Sequence, residues 1–370
     1  MTHSEFDAFR PPEPARRRRP GAGPGAGPRA GRSGGRRDGG DGSREMPMVP
    51  EPEFTSYYGR PVVKPAPWGN DVAAYLFLGG VAAGSALLGL GGQLTGRPTL
   101  RRNARLSALG AVGLGAVALV KDLGRPERFL NMLRTIKLTS PMSVGSWILS
   151  AFSIGTSVSA VAEIDRMSGT RLPLGPLRIL LQAAEGPAGF EAALFAGPLA
   201  AYTAVLLGDT ATPTWNAGHE ELPFVFVSSA ALASAGLAMM TTPVHEAGPA
   251  RTLAVLGVVG DVVAMRVMEQ RMDPVAAEPL HQGKAGAMLK WSERLAAAGA
   301  LGTLLGGRNR LVAAASGSAL LVASVLTRFG VFEAGLSSAR DPRYTIEPQK
   351  NRLAARRAAG ITGDSITTAR

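Results

Sequence analysis

Val72-Ala73-Ala74-Tyr75-Leu76-Phe77-Leu78-Gly79-Gly80-Val81-Ala82-Ala83-Gly84-Ser85-Ala86-Leu87-Leu88-Gly89-Leu90-Gly91-Gly92-Gln93-Leu94 is the stretch on which the fold turns. It carries no charged side chain, and the next is Arg97. It exceeds the ~20 apolar residues that a helix needs to cross a bilayer core of about 30 Å. It also lacks the polar stripe that a surface helix of a soluble protein keeps toward water. Trp68 before it and Tyr75 within its first turns suit the aromatic belt where a spanning helix meets the headgroups. The stretch therefore predicts a transmembrane helix.

The same pattern repeats outward from it. Apolar segments follow at 106–120, 141–162, 189–207 and 222–242. The segment 253–268 is apolar but is interrupted by Asp261 and Arg266. The segment 295–305 is short and needs 285–289 to reach bilayer length, and 311–327 is the last. Eight spans are expected, so the predicted fold class is an all-α integral membrane protein with its helices in bundles. An amphipathic stretch at 177–184 is expected to lie in the membrane interface. Gly80 and Gly84, spaced GxxxG, are expected to let two helices approach closely. The glycines at 79, 80 and 84 sit inside an apolar span, which is the wrong context for a nucleotide-binding loop.

Charge gathers at the two ends. The chain has 40 Lys and Arg against 28 Asp and Glu, a formal net charge of +12, and charged residues make up only 18% of it. Residues 1–55 are Arg/Gly/Pro-rich with almost nothing apolar to bury, and are expected to be disordered. The run from Arg16 to Arg19 is followed by Gly-Ala-Gly-Pro repeats rather than an apolar segment, so it is not read as a signal peptide. Residues 68–333 are assigned to the membrane domain and 334–370 to a basic C-terminal tail. Basic residues flanking apolar spans mark the cytoplasmic side and meet anionic lipid, so membrane lipid rather than nucleic acid is the expected partner of this charge. With an even number of spans both termini fall on one side, and the arginines favour the cytoplasm.

There is no cysteine, which excludes disulfides, thiolate zinc sites and an iron–sulfur cluster ligated within the chain. His3, His219, His245 and His281 offer no facing pair within the spans, so a bis-histidine haem is not expected either. No metal site is predicted. Electron chemistry would need a partner or a diffusible cofactor.

Several polar residues remain. Asp71 and Tyr75, four apart, share one face at the start of the first span. A carboxylate and a phenol there can hydrogen-bond a polar ring whose tail lies in lipid, as a quinone headgroup would. A dipole-favoured Asp and a belt Tyr account for the pair equally simply. Asp122 and Arg125 can pair at i, i+3 if the second helix reaches them before Pro126 ends it. That segment reads either as a headgroup anchor or as a polar mouth for a ligand or partner. Ionisable groups within spans are costly and mark function or pairing. Asp261 and Glu191 are thus proton-path candidates, and Arg266 is expected to pair with Glu185, Glu191 or Glu269.

Four stretches carry a family resemblance. Trp68 with the run Tyr75 to Gly84, Asp122-Leu123-Gly124-Arg125-Pro126-Glu127-Arg128-Phe129, Ser140-Pro141-Met142-Ser143-Val144-Gly145-Ser146-Trp147, and Tyr202 to Leu207 followed by Pro213-Thr214-Trp215 occur in order along the chain. Over residues 68–341 the chain resembles the polysulfide-reductase membrane subunits, also called NrfD-like. The resemblance implies a haem-free anchor in a bacterial cell membrane that binds quinone or quinol, menaquinone or ubiquinone. It further implies an iron–sulfur electron-transfer subunit beside it and a molybdopterin oxidoreductase beyond that. The quinone pocket would lie in the first helical bundle near the partner, which makes Asn70, Asp71, Tyr75, Asp122 and Arg125 its candidate residues. Some members hold the quinone with a histidine near the first span. This chain has none there, so Asn70, Asp71 and Tyr75 would substitute. Two other function classes compete: a proton-coupled secondary transporter using Asp261 and Glu191, and a passive structural anchor without quinone chemistry.

Overall fold

The computed structural model describes residues 61–123, 126–306 and 308–360. The expectations for residues 1–55 and for Arg125 lie outside these. Among the described residues eight helices are twenty residues or longer: α1 (Asn70–Leu94), α2 (Pro98–Asp122), α3 (Pro141–Met167), α4 (Leu177–Gly208), α6 (Leu222–Thr241), α7 (Gly248–Arg271), α9 (Gly283–Gly306) and α10 (Arg310–Arg340). Shorter helices are α5 (Pro213–Ala217), α8 (Pro274–Ala277) and α11 (Arg343–Ala358), with 3₁₀ turns at Pro126–Leu133 and Glu278–Leu280. Six of the eight long helices, all but α7 and α9, are long and apolar enough to cross a membrane. The chain is an all-helical, multi-pass integral membrane protein.

Proline and hydroxyl residues set several helix starts. Pro98, Pro141 and Pro213 stand in the first turn, where a missing N–H costs nothing. Ser140 caps α3 by accepting from the Ser143 N–H, and Asn309 caps α10 by accepting from Leu311 and Val312.

Several boundaries differ from the sequence reading. The stretch at 177–184 is not a separate interfacial helix; it forms the first turns of α4, which continues through Pro187 and Pro198. α2 begins at Pro98, eight residues before the expected span at 106, because Arg101 and Arg105 find acidic partners. α10 runs to Arg340, past the boundary set at 333, and residues 343–358 are helical. α2 ends at Asp122, with Leu123 as its cap.

The helices form two four-helix groups, α1–α4 and α6, α7, α9 and α10, joined where α1 packs on α6. Those two are the interior helices: 78% of the apolar core of α1 and 67% of that of α6 is buried, against 33–44% for α2, α3, α4 and α10. The GxxxG expectation holds at this contact. A Cβ on Gly84 would overlap the Ser234 side chain, and one on Gly80 would stand 3.1 Å from that of Ala230.

Antiparallel succession gives the bundle two faces. Asn70 of α1 shares a face with the Asp122 end of α2, and the Asp71–Lys121 ion pair at 3.1 Å joins them. Trp68 stacks on Trp215 with ring centroids 6.0 Å apart, and the Thr214 N–H donates to Ser338 at the far end of α10. The start of α1 and the end of α10 therefore lie on the same face. On the opposite face the Thr99 and Leu100 N–H groups donate to Glu246, and Arg310 donates to the carbonyls of Met239 and Thr242.

Candidate functional site

Tyr75 is the best-placed of the residues singled out in the sequence. It is 3% exposed on α1, and its ring fits against Gly115 of α2, where a Cβ would stand 3.4 Å from Cδ2. Its hydroxyl hydrogen-bonds the hydroxyl of Tyr202 on α4. Tyr202 in turn lies in the space that Gly145 of α3 leaves open, since a Cβ there would overlap the Tyr202 ring. Four helices thus meet at one pair of phenols. Their surroundings are apolar: Phe77, Leu78, Ala118, Leu119, Ile148 and Phe195 pack around the same core.

Toward the Asn70 face the site becomes polar. Asp71, one turn before Tyr75, pairs with Lys121 at 3.1 Å, and both side chains are open to the outside. Asn70 is exposed and Asp122 half-buried. The connection into α3 is pinned beside them. The Ser143 hydroxyl donates to the Thr135 carbonyl at 3.2 Å and accepts from the Lys137 N–H, and the Trp147 indole donates to Thr135 at 3.4 Å. Three of the four quoted stretches therefore converge here through Tyr75, Gly145 and Tyr202. The fourth reaches the same face with Asp122.

The companion run at 213–215 is an anchor. Trp215 is fully buried, donates to the Val331 carbonyl at 2.8 Å and sits between Trp68 and Phe332, while the Thr214 hydroxyl donates to Ala276 at 2.9 Å. Gly335 makes the room that the Trp215 ring fills.

At the other end of the first bundle the structure builds a charge cluster that sequence reasoning missed. Arg105 of α2 is 3% exposed and donates to Glu163 of α3 at 3.0 Å, to Gln93 of α1 at 2.5 Å and to Glu185 of α4. Arg101 reaches Glu163 at 2.6 Å, and Arg166 pairs with both glutamates. Of the three carboxylates expected for Arg266, Glu185 is already held by Arg105 and Arg166, and Glu269, one turn along α7, is the one that Arg266 attracts. The spacing of arginines at 101 and 105 was the available signal. Their carboxylate partners lie 58 to 80 residues away, so no local pattern reports them.

The two proton-path candidates stand in different bundles. Glu191 of α4 packs against Gly155 of α3 with one carboxylate oxygen buried and without a hydrogen-bond partner, whereas Asp261 lies on α7. His219, His245 and His281 all sit outside the long helices with mostly exposed side chains. Among the described residues no three His, Asp or Glu side chains come together as a metal site.

A family model described as polysulphide reductase, NrfD, matches residues 62–282, more than half of the chain. The chain belongs to the NrfD family. No curated protein matches the chain. The matched region takes in α1 through α8, hence all four helices around the phenol pair; α9 and α10 lie beyond it. It stops short of the end at 341 given by the sequence resemblance. For an NrfD protein the coarse role follows directly: a membrane subunit of the polysulphide-reductase type.

Proposed function

We propose that this NrfD protein binds quinone or quinol in its first helical bundle. There it would exchange electrons with an iron–sulfur subunit, itself joined to a molybdopterin oxidoreductase, in a bacterial cell membrane with both termini in the cytoplasm. The observation that carries this reading is the Tyr75–Tyr202 hydroxyl pair, one buried and one partly buried phenol facing each other in an apolar four-helix setting just below a charged membrane face.

The residues present suit a quinone. When bound, a quinone supplies reversible two-electron, two-proton redox chemistry. Each phenol is both donor and acceptor, so either can exchange its bond to the other for a bond to a ring carbonyl or hydroxyl. The apolar walls, Leu78 and Ile148 among them, suit a ring with a prenyl tail and keep water away from the reacting oxygens. Gly115 and Gly145 make room for the two tyrosine rings, since a Cβ at 115 would touch Tyr75 and one at 145 would overlap Tyr202. Asp71, about one helical turn from Tyr75 and partly open, is placed to pass protons between the phenol pair and the aqueous face. Lys121 holds that carboxylate at the mouth.

The test is quinone-dependent electron transfer in the purified complex with its partner subunits. Tyr75→Phe and Tyr202→Phe keep the rings and remove the hydroxyls. Each variant is expected to lower the rate and weaken binding of a quinone analogue. Wild-type behaviour in both would remove the phenols from the site. A wild-type complex that binds no analogue at any concentration would instead leave a passive anchor.

A further inference from the structure

A second polar locus lies away from the phenol pair, where α7, α9 and α10 meet. These helices enclose a cavity of about 160 Å³, lined in part by Asp261, Glu269, His281, Lys290, Ser292 and Thr327. Its volume accommodates several water molecules. Of its lining residues His281, Lys290, Glu293 and Arg266 are exposed, and His281 stands in the connection before α9, on the Asn70 face. The inner wall of Asp261, Ser292 and Thr327 is buried. Asp261 stands ten residues before the end of α7, about 15 Å below that face and so near half the depth of a bilayer core.

The floor of the cavity is not satisfied by the protein. Asp261 is 7% exposed, and its Oδ1 has no hydrogen-bond partner. Behind it Arg328 of α10 is fully buried and attracts it. The Arg328 guanidinium donates to the Phe226 carbonyl at 2.5 Å and to the Ser229 hydroxyl at 3.3 Å, and lies over the Phe226 ring at 4.0 Å. Its Nη1 remains without a partner. An ionised carboxylate with a bare oxygen at this depth is costly, and charged side chains within spans face a bundle interior or a water-filled cavity. Arg266 and Glu269 of α7 and Lys290 and Glu293 of α9 all line this one space.

We propose that the cavity is a one-sided half-channel through which Asp261 takes up a proton from the Asn70 face. A metal cation is the weaker occupant. The Ser292 and Thr327 hydroxyls, 2.6 Å apart, share their two protons between each other and the Ala323 carbonyl, so the inner wall offers a cation one carboxylate, that of Asp261. Arg328 adds an opposing positive charge. The groups facing Asp261 are Arg266 and Glu269 from α7, His281 from the preceding connection, Lys290 and Glu293 from α9, and Arg328 from α10. α6 contributes uncharged Phe226 and Ser229. In the uptake step a hydronium O–H bond breaks and an O–H bond forms at Asp261. The carboxylate becomes neutral and Arg328 keeps its charge and its bonds to α6. No electron transfer is involved, and the inference is independent of the quinone reading.

The absence of cysteine makes the test direct. Met265→Cys and Leu289→Cys introduce single thiols along the cavity, and Ala296→Cys introduces one on a buried part of α9 outside it. In vesicles holding the full chain in one orientation, a membrane-impermeant cationic thiol reagent is expected to label positions 265 and 289 from one side only. Position 296 should be labelled from neither. A pH-difference infrared spectrum should show a protonated-carboxyl band that is lost in Asp261→Asn. Asp261→Glu keeps a carboxyl and should shift the band, which covers an Asn variant that fails to fold. No labelling at 265 and 289, or labelling from both sides, overturns the half-channel. A carboxyl band that survives in Asp261→Asn, or is absent from the wild type, overturns Asp261 as the proton site.

Discussion

Gly145→Val is the sharpest single perturbation of the phenol site. A Cβ at this position would overlap Cε2 and Cδ2 of Tyr202 and stand 3.1 Å from Cζ, so the ring has to leave its place. Forcing extra methyl groups into a filled core costs typically 1–3 kcal/mol. Losing the hydroxyl bond to Tyr75 removes about 0.5–1.5 kcal/mol more. The variant should therefore be less stable by roughly 2–4 kcal/mol in detergent or nanodisc unfolding. If the phenol pair holds a headgroup, misplacing one donor weakens analogue binding by about tenfold, the equivalent of ~1.4 kcal/mol. Gly91→Val is the control, because nothing lies within 4 Å of a Cβ built there. Thermal melting reads the first quantity and a quinone-analogue titration the second. A Gly145→Val protein that melts and binds like the wild type would refute the geometry from which both numbers come.

Two further outcomes concern the opposite face. Arg105→Met strips the shared cation from the buried Glu163 and Glu185, a change that typically costs about 3–5 kcal/mol. The cost should fall near the lower limit because Arg101 and Arg166 remain, and Arg105→Met with Glu185→Gln should recover part of it in a double-mutant cycle on chemical unfolding. Burial acts to raise the Glu246 carboxyl, but the Leu100 and Thr99 N–H groups outweigh it and hold it below its ordinary value. That stability is present above the ordinary carboxylate range and is lost as pH falls through the lowered folded value. The wild-type melting temperature should drop on acidification below about 4.5, the ordinary value, and Glu246→Gln should flatten the drop while costing about 1 kcal/mol at neutral pH, as loss of an N-terminal cap does.

What was legible in the sequence tracks what is local. The uncharged run at 72–94 and the Gly80/Gly84 spacing contain their own evidence, and both the helix and its close approach to α6 follow from them. Tyr75 was visible as a polar residue in the right turn, but its partner Tyr202 is 127 residues away, and only the fold shows that the two hydroxyls meet. Arginines misled in a consistent way. Arg101 and Arg105 read as the end of a loop and Arg328 as the end of a span, since an arginine in an apolar context looks like a boundary. Each is inside a helix because distant groups accept its protons: Glu163 and Glu185 for the first two, Phe226 and Ser229 for the third. Window hydropathy counts a charge without its partner.

The uneven polarity of the helices bears on how the protein enters its membrane. Each mid-helix Asp, Lys or Arg adds about 2.5–3.5 kcal/mol to the insertion of an isolated segment. α7 carries Asp261 and Arg266, and α9 carries Lys290 and Glu293, so neither is a good substrate for insertion alone. Each is tied by a short connection to a strongly apolar neighbour against which it packs, α7 to α6 through residues 242–247 and α9 to α10 through 307–309. The unit that partitions into lipid is then the helical hairpin, with the apolar arm carrying the polar one across. Arg328, on the arm that follows α9, reaches its acceptors on α6 only after both hairpins are in place, which makes the meeting of the hairpins a late event in biogenesis.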